Sequence, residues 1–318
     1  MCVSAMIEED LRKLEREYEA IIGWVEFAEL FERRVVSDLK ITKALELQFE
    51  EPKTPQAEKI KQSIDQYRRK KTAELEQELF KQKKRLGDAE RTLKTKETKK
   101  ALEDQRIAGS KIEATLRRIA DVNRAELLER DARIFPFYFA PIVVGDGNEK
   151  RIIPARYHCR PAGKPAMFDR KYPGLFNARR DSLENFWRDL FGKHHAIVQI
   201  SSFYENVPLH KFEHRELRAG EEEQNVVLHF NPQPARQMEV ACLWSRWQSP
   251  GESDLVSFAA ITDDPTPEVA AAGHDRTVIV LQRGNVDAWL NPAEGGAASL
   301  YRLLGDREKP LFEYRLAA

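Results

Sequence analysis

The chain opens Met1-Cys2-Val3-Ser4. Removal of Met1 leaves Cys2 as the amino terminus, and that one residue then carries an α-amine and a thiol on adjacent carbons. An α-amine has a pKa of roughly 7.7–8.0, so a useful fraction of it is an uncharged nucleophile near neutrality. Three further stretches offer groups to work beside it. In LFNARRDS, Asn177 brings a donor and an acceptor and Arg179 a forked clamp for a phosphate; the same residues also suit a loop that caps a helix. In ISSFYEN, Glu205 ends an apolar strand behind Phe203 and Tyr204. Buried among aromatics its pKa rises and it can relay protons, whereas in water it is an ordinary strand-end carboxylate. In GHDRTVIV, His274 and Arg276 precede an apolar strand, either as proton carrier and anion holder or as residues of a turn. The remaining histidines lack the tight Cys/His spacing of a zinc site, so neither a metal nor another cofactor is expected.

Composition narrows the classes. With 52 basic and 52 acidic residues among 318, any nucleic-acid site must be a local patch. Such a patch is visible where Arg156, Arg160, Arg170, Lys171, Arg179, Arg180 and Arg188 alternate with Tyr157, Phe168, Tyr172 and Trp187. Cations for phosphates and rings for bases suit single-stranded DNA. Three cysteines in so long a chain argue for a reducing compartment. No apolar run approaches the roughly 20 residues that span a bilayer, and no apolar signal core opens the chain. A cytoplasmic or nucleoid-associated protein, away from membranes, is expected.

Two halves with different patterns position these residues. From Ile7 to Arg133 the chain reads as helical: Leu11, Leu14, Tyr18, Ile21, Val25 and Ala28 follow a heptad spacing, EEPKTPQ breaks it, and Leu79, Leu86 and Leu93 resume it. Ile112, Leu116 and Ile119 mark a third stretch after a weak break at Gly109. The basic runs here alternate with acids and read as solvated helix faces. From Phe135 onward short β-type runs take over, punctuated by Pro, Gly, Asn and Asp; DSLENFWRDLF and NPAEGGAASLYRLL read as helices. The expected fold class is α+β, a mainly antiparallel, barrel-like β core with an inserted coiled-coil-like helical hairpin or bundle. Its segments are 1–6 as a strand of the core, 7–133 as the insertion, and 134–318 as the α+β domain. The insertion is expected to serve a protein partner or self-association.

Taken together these stretches resemble the SOS response-associated peptidase family, also called abasic-site processing proteins. The resemblance rests on the Met-Cys start, Asn177-Ala178-Arg179-Arg180-Asp181-Ser182, Phe203-Tyr204-Glu205, Thr262 followed by His274-Asp275-Arg276, Ala140-Pro141, and Arg156-Tyr157-His158. It covers Phe137 to the C-terminus, plus Cys2. Departures are Val3-Ser4, Asn206 after the glutamate, and Thr277-Val278. The resemblance implies an enzyme that binds single-stranded DNA and links covalently to abasic sites. The Cys2 amine condenses with the aldehyde of the open sugar and its thiol closes a thiazolidine ring. It also implies supporting roles: His274 opens the sugar, Glu205 shuttles protons, Asn177 holds the terminus or the sugar, and Arg179 and Arg276 hold phosphates. Arg156, Arg180 and Trp187 complete the expected DNA surface. Two alternatives stand beside it. One is a cysteine peptidase or amidohydrolase that uses the Cys2 thiolate without DNA. The other is a non-catalytic helical scaffold carrying a degenerate β domain.

Overall fold

The computed structural model describes residues 2–147, 149–292 and 296–317, without the side chains of Cys2 and Val3. The chain forms two compact units, one made of Met1–Phe27, Leu39–Gln48 and Leu128–Ala318, the other of Ala28–Asp38 and Phe49–Leu127.

The first unit is built on ten strands that matter here: β1 (Cys2–Ile7), β2 (Tyr138–Asp146), β3 (Glu149–Tyr157), β4 (Asn177–Arg179), β5 (His195–Pro208), β6 (Asn225–Gln233), β7 (Met238–Trp247), β8 (Leu255–Asp263), β9 (Thr277–Val278) and β10 (Leu311–Leu316). A ring closes through β5, β2, β3, β8 and β7, since β7 returns to pair with β5. All its pairings are antiparallel except β3 with β8. The expected barrel-like α+β core is therefore present. Alternate residues fill it: Ile142 and Val144 from β2, Ile153 and Ala155 from β3, Ala196 and Val198 from β5, Val240 and Cys242 from β7, and Phe258 and Ala260 from β8. The Cys242 thiol lies in this core and burial pushes it up; burial likewise pushes the Cys159 thiol up to about 12. Neither is a nucleophile near neutral pH. Strand β5 is 14 residues long and outlasts the barrel. Its second half runs between β1 and β6, with Phe203 opposite both Ala5 and Phe230.

The expected heptad helix at the start of the chain is not formed. Leu11, Leu14 and Tyr18 are buried on a short helix α1 (Leu11–Tyr18) that stops at Glu19, whose φ is +50°. Ile21–Ile22 then pairs with β3, leaving Ile21 half exposed, and Val25 points to solvent on α2 (Trp24–Ser37). Lys40–Ile41 pairs with β2, and α3 (Lys43–Leu47) follows. Helix α1, Ile21–Ile22, Lys40–Ile41 and α3 belong to the first unit, where Leu11, Leu14, Tyr18, Ile22, Ile41 and Leu45 are buried. The unit boundaries accordingly differ from the expected division at residues 7 and 133. DSLENFWRDLF is also not an α-helix: a single 3-10 turn, Arg180–Ser182, is followed by irregular turns.

The second unit holds the hairpin of α4 (Pro55–Thr95) and α5 (Lys99–Asn123). Thr54 caps α4 and Pro55 opens it, so EEPKTPQ does break the chain. Gly109 does not break α5; the turn lies at Lys96–Thr98, where Thr98 caps the second helix. Buried residues recur every seven positions, as Leu75, Gln82 and Ala89 on α4 and Ala101, Ala108 and Thr115 on α5. Small residues let the backbones approach, and the polar Gln82 and Thr115 favour one register. The pairs Arg85–Asp104 (2.5 Å) and Asn123–Thr72 (3.0 Å) fix the antiparallel alignment. No helix among the described residues is long and apolar enough to cross a membrane.

Two shortened chains distinguish these units. Replacing residues 76–117 with a short Gly/Ser turn should leave the first unit cooperatively folded. Bridging Ser4 directly to Arg133 should abolish its melt, because Leu11, Leu14, Tyr18, Ile22 and Leu45 leave the core with the deleted segment. Thermal unfolding followed by near-ultraviolet circular dichroism separates the two outcomes.

Candidate active site

The site is assembled where β5 leaves the barrel. The register sets Cys2 of β1 opposite Glu205, with an irregularity before Ser4 meets Tyr204. Glu205 is only 1% exposed, and burial raises its carboxyl to about 8. His274 follows Gly273, whose φ of +92° admits glycine alone; a Cβ there would lie 3.0 Å from Lys211 Cβ. This turn directs the imidazole inward, with Nε2 3.4 Å from Glu205 Oε2. Burial lowers the His274 pKa below its ordinary value.

The other ring nitrogen defines the tautomer. Nδ1 lies 2.9 Å from the Arg276 carbonyl, nearer than the 3.3 Å to the Arg276 N–H. Nδ1–H donating to that carbonyl leaves the Nε2 lone pair facing Glu205. Near neutral pH both groups are uncharged, a proton resides on the carboxyl, and a base waits beside it. That arrangement passes protons in either direction.

Asn177 is buried at the start of β4, which lies parallel to β8 with Asn177 opposite Ala260. Strand β9 pairs with the same end of β8, Val278 opposite Thr262. The Asn177 strand and the segment after His274 thus meet at the end of one strand. The buried hydroxyls of Thr262 and Thr277 there find no hydrogen-bond partner among the described residues, as expected of a lining that receives a polar ligand or water.

The expected DNA-contacting residues separate into two groups. Arg179 is exposed and pairs with Asp181 at 2.8 Å, Arg180 pairs with Asp263 at 2.9 Å, and Arg276 is partly exposed beside His274. Arg156 and Trp187 are inside. Arg156 joins Arg160 in clasping Asp169, at 2.9 and 2.5 Å. Burial works to raise the Asp169 carboxyl, but the hydrogen bonds from Arg160 and Arg156 outweigh it and hold it below its ordinary value. Trp187 packs in the core, edge-on to Phe186 at 5.0 Å. Phe186 is the exposed ring of that pair, beside Phe168 and Tyr172. The turns that replace the expected helix reverse which of the two adjacent aromatics faces water. Among the described residues no group of three or more His, Cys, Asp or Glu side chains is arranged to hold a metal.

Residues 91–316 match the SOS response associated peptidase (SRAP) family, and the chain belongs to it. Cys2 lies outside the matched residues. A protein from Bacteroides thetaiotaomicron is 15% identical with a TM-score of 0.45, over 58% of this chain and 77% of that one. Two proteins from Bordetella bronchiseptica, the second described as phage-related, are 20% and 17% identical with TM-scores of 0.45 and 0.44; they cover 61% and 62% of this chain and 90% and 85% of theirs. No curated protein matches the sequence.

The raised Glu205 pKa carries a signed consequence. Between about 4.5 and 8 the folded state retains a proton that the unfolded chain releases, so stability falls as pH rises through that window. Glu205→Gln should remove this loss, gaining on the order of 2–4 kcal/mol relative to wild type on going from pH 5 to 8.5. Glu9, raised to about 8 by burial, has the same sign and persists in both proteins. His274 acts oppositely, costing stability as pH falls below about 6.5. Urea melts of both proteins across this range provide the check, and parallel pH profiles would place Glu205 in contact with water.

Proposed function

We propose that the protein captures abasic sites in single-stranded DNA by covalent attachment to Cys2. The observation that carries the reading is the register that sets Cys2 opposite Glu205, with His274 3.4 Å behind it. Once Met1 is removed, the Cys2 amine attacks the aldehyde of the open sugar. A carbinolamine forms and loses one water to give the imine. The thiol then adds across the C=N bond, its sulfur bonding to carbon and its proton passing to nitrogen. The thiazolidine therefore retains every atom of the two reactants except one water.

Each supporting residue has a task in these steps. Glu205, carrying its proton, protonates the departing hydroxyl of the carbinolamine. His274, neutral, takes a proton from the sugar hydroxyl as the ring opens and returns it through Glu205. Asn177 holds the sugar by hydrogen bonds. Arg179, Arg180 and Arg276 meet flanking phosphates, exchanging their present acidic partners where they have them. The reaction belongs in a reducing cytoplasm or nucleoid, and the hairpin is the arm for a partner protein or a second copy.

Wild type with a confirmed Cys2 terminus should form a denaturation-resistant adduct with an oligonucleotide bearing one abasic site. Its intact mass should equal protein plus DNA minus one water. Cys2→Ser should give only an imine, trapped by borohydride and otherwise lost on heating. An uncleaved N-terminal extension should block both. Glu205→Gln and His274→Ala should slow adduct formation by about 10²–10⁴-fold, the usual span for a lost proton-transfer group, while keeping a cooperative melt. Amide hydrolysis without any adduct would instead establish a peptidase.

A further inference from the structure

The opposite face of β1 carries a cation that the chemistry above does not use. Arg133 lies in the short strand Arg133–Ile134, where it faces Met6. Its Nε donates to Ser4 Oγ at 3.0 Å. Its guanidinium sits 3.5 Å from the centre of the Tyr204 ring and 4.8 Å from that of Phe135. Tyr204 is backed in turn by His229, stacked at 4.1 Å and 6°, and His229 Nε2 is anchored 2.7 Å from Ser202 Oγ. The result is a support of three rings, with Ser4 and Ser202 as hydrogen-bonding anchors, that holds one planar fork in place.

What the fork lacks is a counter-charge. Arg133 is half-buried, yet among the described residues it makes no ion pair. Nearby arginines each have a carboxylate: Arg315 has Glu129 at 3.9 Å, and Arg236 has Glu308. Burial pushes the Arg133 pKa down, so the site favours a bound anion that offsets the lost hydration. The planar guanidinium has the donor geometry that a planar or tetrahedral oxyanion accepts from.

The position of the cation identifies the anion. Ser4 stands two residues beyond Cys2, and Tyr204 one residue before Glu205 on the facing strand. Adjacent strand residues point to opposite faces. Arg133 therefore lies across the sheet from the carboxylate, reached around the first residues of β1. Among the described residues Arg133–Ile134 pairs as a strand only with Met6 and Ala5, at the end of the sheet. We infer that Arg133, oriented by Ser4 and Tyr204, is a binding site for a backbone phosphate of single-stranded DNA that enters beside Cys2. A neighbouring groove is lined by Met6, Ser202, His229 and Arg315 together with the carboxylates of Glu129 and Glu313. This inference rests on the abasic-DNA reading for its ligand, but not for its geometry.

Binding can be measured apart from the chemistry with single strands that carry a tetrahydrofuran abasic analogue, which has no aldehyde. Arg133→Ala should weaken affinity at least 10-fold and reduce the logarithmic salt slope by about one. Arg133→Lys should fall between, since it retains the charge and loses the fork. Replacing the linkages flanking the analogue, one at a time, with uncharged methylphosphonate should weaken wild type at one position, and Arg133→Ala should lose nothing further there. Equal losses for Arg133→Ala on charged and uncharged linkages, or affinity within twofold of wild type, would overturn the assignment. If Arg133→Ala melts early, the Lys variant and the methylphosphonate series decide: no sensitive linkage in wild type means no phosphate site. Wild type that binds strands but forms no adduct with a true abasic site defeats the crosslinking reading alone. Adduct formation with affinity indifferent to Arg133 defeats this inference alone, and absence of any binding defeats both.

Discussion

A carboxyl group that must be buried without its charge, next to the start of the chain, organises this molecule. Glu205 can be dry only because β5 outlasts the barrel and is covered on both edges, by β1 on one side and β6 on the other. Covering it from the β1 side brings the second residue of the sequence opposite the carboxyl. Covering it from the His274 side needs a turn so tight that glycine precedes the histidine. Burial favours the protonated acid, which is compatible with close packing and also has a proton to give. Packing and chemistry thus impose the same protonation state.

The arginines show how one residue type serves opposite ends here. Arg156 and Arg160 share Asp169 inside the fold, closing the loop between β3 and β4. Removing Asp169 would strand two buried cations, a heavier loss than the pair contributes when intact. Arg179, about twenty residues further on, holds Asp181 at the surface, where such a pair contributes little, while Arg180 shares the partly buried Asp263 with Arg307. Arg133 holds none.

The β half was legible because its signals are local. Alternating β-branched and aromatic residues, cut by Pro, Gly and Asn, gave the strands from Tyr138 to Leu281, and Glu205 and His274 stood out as ionisable groups at the ends of apolar runs. The helical half misled because spacing of three and four residues is degenerate. Leu11, Leu14 and Tyr18 truly share a face, but Ile21 and Val25 continue the count by coincidence, and no local signal announces that Glu19 will turn left-handed. Trp187 looks like a stacking platform in sequence because a rule of composition cannot say which of two neighbouring aromatics is inward. Arg156 could be recognised as structural only through Asp169, thirteen positions away and brought near by the fold. Arg133 escaped notice for the same reason, since its partners Ser4 and Tyr204 are remote in sequence.

The pairing of β1 with β5 has a consequence in time. Ser4 leaves the ribosome before its partner Tyr204, which follows 200 residues later. At about 5–20 residues per second, that interval lasts roughly 10–40 s. Throughout it β1 has no β5 to pair with, and Glu205 has no cover along that edge. The carboxyl can become dry only after both strands have been made, so the site is completed late in synthesis.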